Sequence, residues 1–285
     1  VNDGSRDDGA TRRAAQQFQP SIKYIEKVNG GVASALNAGI RASRGDLICW
    51  LSHDDTFVAD KTARQVSFYR NLGIHGSIVY GDFEVTDEKG NTTSVVKQAP
   101  QPAGLFRFWI TANSSFHGCT VMIPRHCFAE VGLFDEQLAT IQDYDLWFRL
   151  AGHFKFRHLS GVVVRARHHK DQGTLVMKAR AALEANRVFV GFLWKLSRQE
   201  VARGGSGNVA RGYCLLARSF RERSLRKPYA LAIVLSAMNL LVHPSVSAAE
   251  CLLEIHRKSR NNGLYLATKP LRRSIQKALS RFGLY

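Results

Sequence analysis

Gly45-Asp46-Leu47-Ile48-Cys49-Trp50-Leu51-Ser52-His53-Asp54-Asp55 is the stretch whose reading decides the fold. Its apolar run, Leu47 to Leu51, has the length and bulk of a strand buried on both faces, and it stops at two adjacent carboxylates. Open α/β sheets place ligands at the carboxyl ends of such strands. Paired carboxylates there can hold a hard divalent cation, which commonly carries a substrate's phosphates. A solvated turn, with Asp54 or Asp55 capping the next helix, is the competing reading of these residues taken alone.

Upstream, Val1-Asn2-Asp3-Gly4-Ser5 reads as a strand end entering a turn, followed by a helix from Asp8 to Phe18. Ser21 to Lys27 is a short strand candidate. After Asn29-Gly30-Gly31 comes an alanine-rich helix, Val32 to Ala42, closed by Gly45. Strand and helix thus alternate at short spacing, the pattern of a doubly wound parallel sheet. Downstream, Lys61 to Leu72 is helical, Ser77 to Val85 is a strand, and Asp87-Glu88-Lys89-Gly90-Asn91 is a hairpin turn. Residues 98 to 117 are irregular and aromatic. Cys119 to Ile123 is extended, and Pro124 opens a helix through Val131. A second acidic cluster, Gln142-Asp143-Tyr144-Asp145, leads into a helix to Ala151. Phe154 to Leu159 and Val162 to Arg167 are strands ending at His168-His169.

From about Leu175 the texture changes to long helical patterns dense in Arg and Lys, with Arg203-Gly204-Gly205-Ser206-Gly207 as a linker. Tyr229 to Leu241 is apolar, too short to span a bilayer, flanked by basic residues and interrupted by Pro244. No acidic residue occurs from Ile255 to Tyr285. The formal net charge of the 285 residues is +17, which calls for a polyanionic neighbour: an anionic membrane surface, nucleic acid or a phosphorylated substrate. The five cysteines form no CxxC pair, so neither a disulfide framework nor a structural zinc site is expected, and a reducing, cytoplasmic setting fits. No helix-turn-helix, zinc-finger or RNP-type signature supports nucleic acid as the partner.

The ordered set of motifs carries a resemblance. Val1-Asn2-Asp3-Gly4-Ser5, Asn29-Gly30-Gly31-Val32-Ala33 with Asn37, Gly45-Asp46, the Asp54-Asp55 strand end, Gly132-Leu133-Phe134-Asp135-Glu136, Asp143-Tyr144-Asp145-Leu146 with Arg149, and Arg167-His168 together resemble an inverting family 2 glycosyltransferase. The resemblance covers residues 1–175 and implies a GT-A fold: Rossmann-like α/β, a mostly parallel central sheet flanked by helices, here followed by an α-helical basic region over 176–285. It also implies that a first βα unit of roughly 30 to 40 residues precedes Val1.

Further implications attach to individual residues. The resemblance makes Asp3, Ser5, Asn37, Ser52 and Asp54 contacts to a nucleotide-diphosphate sugar, a UDP-sugar first. Asp54, Asp55 and His168 become the ligands of Mg2+ or Mn2+. Ser52 departs from the family's usual carboxylate at that position. Asp143 becomes the base that deprotonates a saccharide or lipid-linked acceptor hydroxyl, with Gln142 where the family has Glu. Trp109 and Phe106 fall where the family builds an acceptor pocket. Independently of the resemblance, the basic flanks of the Tyr229–Leu241 segment suit either peripheral attachment to the inner face of the cytoplasmic membrane or a small helical subdomain packed on the catalytic sheet with a solvated basic face. A catalytically inactive nucleotide-sugar-binding homologue and a basic nucleic-acid-binding protein are the rival readings.

Overall fold

The computed structural model describes residues 1–259 except Ala103, Ser114, Asp171 and Pro244, together with Ser280. In chain order the elements are α1 (Ala10–Gln16), α2 (Val32–Ala42), β1 (Leu47–Ile48), β2 (Thr56–Phe57), α3 (Lys61–Asn71), β3 (Ile78–Thr86), β4 (Thr92–Val96) and α4 (Phe106–Ala112). There follow β5 (Ile123–Pro124), α5 (Arg125–Val131), α6 (Gln142–Leu150), β6 (Phe156–Arg167), α7 (Gly173–Val176), α8 (Lys178–Lys195), α9 (Arg198–Gly204), α10 (Val209–Glu222), α11 (Arg226–Val242) and α12 (Val246–Ser259). They form two compact units, Val1–Pro100 with His117–Ala181, and Gln101–Phe116 with Ala182–Tyr285.

The first unit is built on a mixed sheet ordered β2-β6-β3-β4, in which β3 and β6 run parallel and both outer pairs are antiparallel. β1 pairs antiparallel with β5, and a parallel bridge joins Asn2 to Glu26. Ile78, Val79 and Tyr80 of β3 are wholly buried, as a strand covered on both faces requires. The two strands expected over 154–167 are one. At the register shift by Gly81 and Asp82, β6 bulges at Gly161, whose φ of +102° suits only glycine. The Asp82 carboxylate fills the gap, accepting from the Gln98 N–H (2.7 Å), His158 Nε2 (2.8 Å) and the Gly161 N–H (2.9 Å).

The apolar run that opened the sequence reading is strand only at Leu47–Ile48, and Leu51 is exposed. The chain leaves the ladder because Trp50 turns its ring edge-on to Phe134, 5.4 Å between centroids, and Ser52 starts a turn closed by the Asp55 N–H. That turn lifts both carboxylates off the strand. Behind it, Lys61 at the start of α3 is fully buried. Its ammonium donates to Gln65 Oε1 (2.7 Å) and sits 4.2 Å over the Phe57 ring, while burial lowers its pKa.

The second unit is helical, and three expectations change there. The aromatic segment read as irregular forms α4, with Phe106, Phe108 and Ile110 buried and Trp109 packed on Phe106 and Phe116. The glycine-rich segment read as a linker is the end of α9 and a tight turn into α10. A Cβ at Gly205 would overlap the main chain of Asn208 and Gly212, and one at Gly212 would overlap the Val201 carbonyl, so the glycines are there for close helix approach. The cysteine reading is also corrected: Cys214 and Cys251 form a disulfide that joins α10 to α12 across 37 positions, a separation no local motif signals. The apolar Tyr229–Leu241 segment lies in α11, with Pro228 tolerated in its first turn. Among the described residues no helix is long and apolar enough to cross a membrane. Pro244 and most of the acid-free tail lie outside the described residues.

Candidate functional site

The two carboxylates after β1 face different partners. Asp54 Oδ2 stands 3.0 Å from His169 Nε2, at the end of β6. The Asp55 side chain is only 4% exposed. Its Oδ1 accepts the Arg167 N–H at 3.2 Å, and its Oδ2 lies 3.5 Å from His117 Nε2. Burial pushes the Asp55 pKa up, opposed by His117 and reinforced by the charge of Asp54. Burial likewise lowers the pKa of His117 against the pull of both carboxylates. A buried acid beside a second acid, with only a neutral-leaning imidazole opposite, is short of positive charge. Cys119 completes the group. Its sulfur takes the Ser52 N–H at 3.3 Å, and burial pushes the thiol up to about 12.

The second acidic cluster opens α6. Asp143 is half-buried, its Oδ1 accepts the Tyr144 N–H at 2.8 Å, and burial raises its pKa to about 6. Asp145 instead pairs with Arg149 (2.8 Å), whose other nitrogens donate to the Val131 and Leu133 carbonyls at 2.6 and 2.8 Å. The loop so held is pinned again from α2. Asn37 Nδ2 donates to the Phe134 carbonyl (3.0 Å) and to Glu136 Oε1 (2.8 Å), and Asn37 Oδ1 accepts the Phe134 N–H (3.0 Å). Hence Asn37, Arg149, Asp145 and the 132–136 loop form one positioning network behind Asp143 and Trp50.

The other expected site residues distribute as follows. Asp3 spends its oxygens on the glycine turn before α2, accepting from Lys27 Nζ (2.6 Å) and from the Gly30 and Gly31 N–H groups. Burial works against the charged form, but these donors outweigh it and hold its pKa below the usual range. The Ser5 N–H donates to Asn2 Oδ1, and Ser5 is exposed. Ser52 is bound to Cys119 through both its N–H and its hydroxyl. His168 is exposed, its N–H donates to the Thr86 carbonyl, and it lines a hollow with Val85, Thr86 and the 87–91 turn, while its neighbour His169 meets Asp54. His117 and Cys119 were not singled out from sequence. Their only signal is a His and a Cys two positions apart, where the irregular segment 98–117 meets the extended segment 119–123.

Residues 1–132 match the family described as Glycosyl transferase family 2. An uncharacterized glycosyltransferase of Rickettsia typhi is 32% identical over 245 residues, covering 85% of this chain and 76% of the relative. A second, from Rickettsia conorii, is 35% identical over 206 residues, 71% of this chain but 34% of the relative, so the chain spans about a third of that protein's length. Among solved structures, S. aureus TarS 1–349 in complex with UDP-GlcNAc superposes with a TM-score of 0.57 at 14% identity, covering 99% of this chain and 82% of that one. The mannosyltransferase PcManGT of Pyrobaculum calidifontis, in complex with GDP-Man and Mn2+, gives 0.51 at 16% identity, covering 98% and 75%. These likenesses show the GT-A fold with its helical C-terminal region. By its motifs, fold and relatives, the chain belongs to glycosyltransferase family 2.

Proposed function

We propose that this chain transfers a sugar from a nucleoside-diphosphate donor to a hydroxyl acceptor with inversion at the anomeric carbon. The observation that carries the reading is Asp143, a half-buried carboxyl at the start of α6 whose pKa of about 6 lies close to neutral pH. A general base works best when its pKa is near the operating pH, and only hydrogen-bond reach to the attacking hydroxyl is needed besides. Asp143 takes the hydroxyl proton as the acceptor oxygen attacks. Its carboxylate is kept in place by the Tyr144 N–H and by the Arg149 network beneath it.

Asp54 and Asp55 fit Mg2+ or Mn2+: they offer carboxylate oxygens, and Asp55 is buried without full charge compensation. The cation, when bound, supplies positive charge to the leaving diphosphate. His169 orients Asp54. The donor contacts expected at Asp3, Ser5 and Ser52 are carried here as part of the proposal, with one condition, while Asn37, 1% exposed and bonded to Phe134 and Glu136, acts through the 132–136 loop. A nucleoside reaching Asp3 has to displace Lys27 from its carboxylate. UDP and GDP sugars are the donor classes to test first, since the TarS and PcManGT structures hold UDP-GlcNAc and GDP-Man. The acceptor is a saccharide or lipid-linked hydroxyl, in surface polysaccharide or glycoconjugate assembly.

The test is a thermal-shift screen of nucleoside diphosphates with and without Mn2+, followed by donor turnover in the wild type and in Asp143→Asn. One nucleotide should raise the midpoint in a Mn2+-dependent way, because a ligand bound only by the native state stabilises it by mass action. Asp143→Asn should keep that shift and lose turnover. Full turnover in the Asn variant would remove Asp143 from the mechanism. A second reading, a nucleotide-sugar binder without turnover, draws on Ser52 in place of a carboxylate and on the protein donors that occupy Asp3. It predicts the same thermal shift with no turnover in the wild type.

A further inference from the structure

Among the described residues, Asp55, His117 and Cys119 bring a carboxylate oxygen, a ring nitrogen and a thiol sulfur within 4.8 Å of one another. The set is presented by stiff backbone. His117 and Cys119 sit on either side of Gly118, in a short 3-10 turn closed by the Thr120 N–H and hydroxyl, both donating to the His117 carbonyl at 3.1 and 2.7 Å. Gly118 has no room for a side chain, since a Cβ there would stand 3.1 Å from the Trp50 ring and 3.3 Å from the Trp147 ring. Cys119 is 1% exposed. On the other side, Asp55 is fixed by the Arg167 N–H.

We propose that Asp55, His117 and Cys119 form a binding site for a thiophilic divalent cation of the zinc class. Three features of the geometry support this. First, Asp55 Oδ2 and His117 Nε2 are 3.5 Å apart, too far for a strong hydrogen bond but the spacing of two atoms on one ion. Bonds of about 2.0–2.3 Å to a tetrahedral ion place its ligands roughly 3.3–3.8 Å from one another, so small side-chain rotations close the set. Second, the Ser52 N–H and hydroxyl lie 3.3 and 3.4 Å from the Cys119 sulfur, donors that would support a thiolate once the metal displaces its proton to solvent. Third, Nε2 is the His117 nitrogen turned toward Asp55 Oδ2, the atom a cation between them would take.

Oxygen, nitrogen and sulfur in one set select zinc or cobalt over magnesium, calcium or manganese. Three protein ligands leave the remaining position to water. Only the consequence of this binding rests on the functional reading above: a zinc-class ion would draw on Asp55 and so compete with the Mg2+ or Mn2+ that the transfer needs.

The test is a Co2+ titration of the full chain, with the Cys214–Cys251 disulfide left intact. The expected result is one equivalent of Co2+ giving a sulfur-to-cobalt charge-transfer band in the near ultraviolet, with the visible bands of a four-coordinate ion. Zn2+ should displace it stoichiometrically. Cys119→Ser should abolish the charge-transfer band, and His117→Gln should weaken Co2+ binding at least tenfold. Cys49→Ser and Cys127→Ser should leave the spectrum unchanged. A spectrum of weak six-coordinate cobalt alone, or a charge-transfer band that survives Cys119→Ser, overturns the site. In the same samples, Zn2+ alone should raise the wild-type midpoint and abolish the further rise given by Mn2+ with nucleotide, and should do neither in Cys119→Ser. If the cobalt spectrum forms but neither protein shows a shift with Mn2+ and nucleotide, the zinc-class site stands and the donor reading fails.

Discussion

At the scale of single residues, the proposed base Asp143 is where stability and activity would pull in opposite directions. A carboxyl whose pKa is about 6 when folded, against an ordinary 3.8, costs the fold up to about 3 kcal/mol once ionised. The sign follows from proton binding. Between pH 3.8 and 6 the unfolded chain has lost this proton and the folded chain has kept it, so the contribution to stability falls as pH rises and is level above 6. Asp143→Asn should therefore be more stable than the wild type by about 1–3 kcal/mol at pH 7.5, and the difference should vanish below pH 4 in urea melts. The same substitution should cost about 10²–10⁴ in turnover. The wild-type kcat/KM should show an acid limb near pH 6, a limb absent from the residual rate of the variant. Asp54 and Asp55 stand out in the sequence as carboxylates at the end of an apolar run, and Asp143 stands out through the family resemblance. His117 and Cys119 do not, because only the fold of the 118–120 turn brings them to Asp55.

Among the elements, α2, the 132–136 loop and α6 behave as one assembly. Asn37 is 1% exposed and its amide makes three bonds to the loop, one of which satisfies the Phe134 N–H. Asn37→Ala would strand that buried donor and is expected to destabilise the protein by about 2–4 kcal/mol, read from urea melts. It should also loosen Trp50, whose ring rests on Phe134, and so raise the donor KM. In the second unit, Gly212→Ala forces a methyl into the Val201 carbonyl and should cost about 1–3 kcal/mol, without touching donor binding by the first unit. Sequence periodicity located α2 and α3 well, because an alanine-rich or amphipathic run names its own period. It failed at α4 and at the α9–α10 turn. There the local composition, aromatic in one and glycine-rich in the other, is set by packing against helices far along the chain. β6 was split in two because Ser160 and Gly161 look like a turn, and only the Asp82 carboxylate shows why a strand runs through them.

For the molecule as a whole, charge is the property that most needs a partner. Residues 182–285 hold 18 Lys and Arg against 5 Glu, a net +13 of the chain's +17. The same unit exposes large apolar side chains: Leu183 and Trp194 on α8 are 73% and 66% exposed, and Met238 and Val242 on α11 are 58% and 70% exposed. Leu183 and Trp194 are eleven positions apart, close to three full turns, so they share one face of α8. The Lys227 N–H donates to Asn186 and Arg198 donates to Asn239, which sets α8 and the start of α9 beside α11 with the same offset along both contacts. An excess of cations in the same stretch of chain as exposed tryptophan, leucine and methionine suits an anionic leaflet, where each cation near the surface contributes about 1 kcal/mol and the aromatic ring enters the interface. Co-sedimentation with vesicles of phosphatidylglycerol mixed into phosphatidylcholine should therefore capture the protein. Pure phosphatidylcholine should capture at least tenfold less, and binding to the mixed vesicles should weaken as salt rises. Trp194→Ala should reduce capture by the anionic vesicles several-fold while leaving the salt slope intact, because it removes apolar insertion and changes no charge. Equal binding to both vesicle types, or a Trp194→Ala variant that binds like the wild type, would show that this face serves another partner.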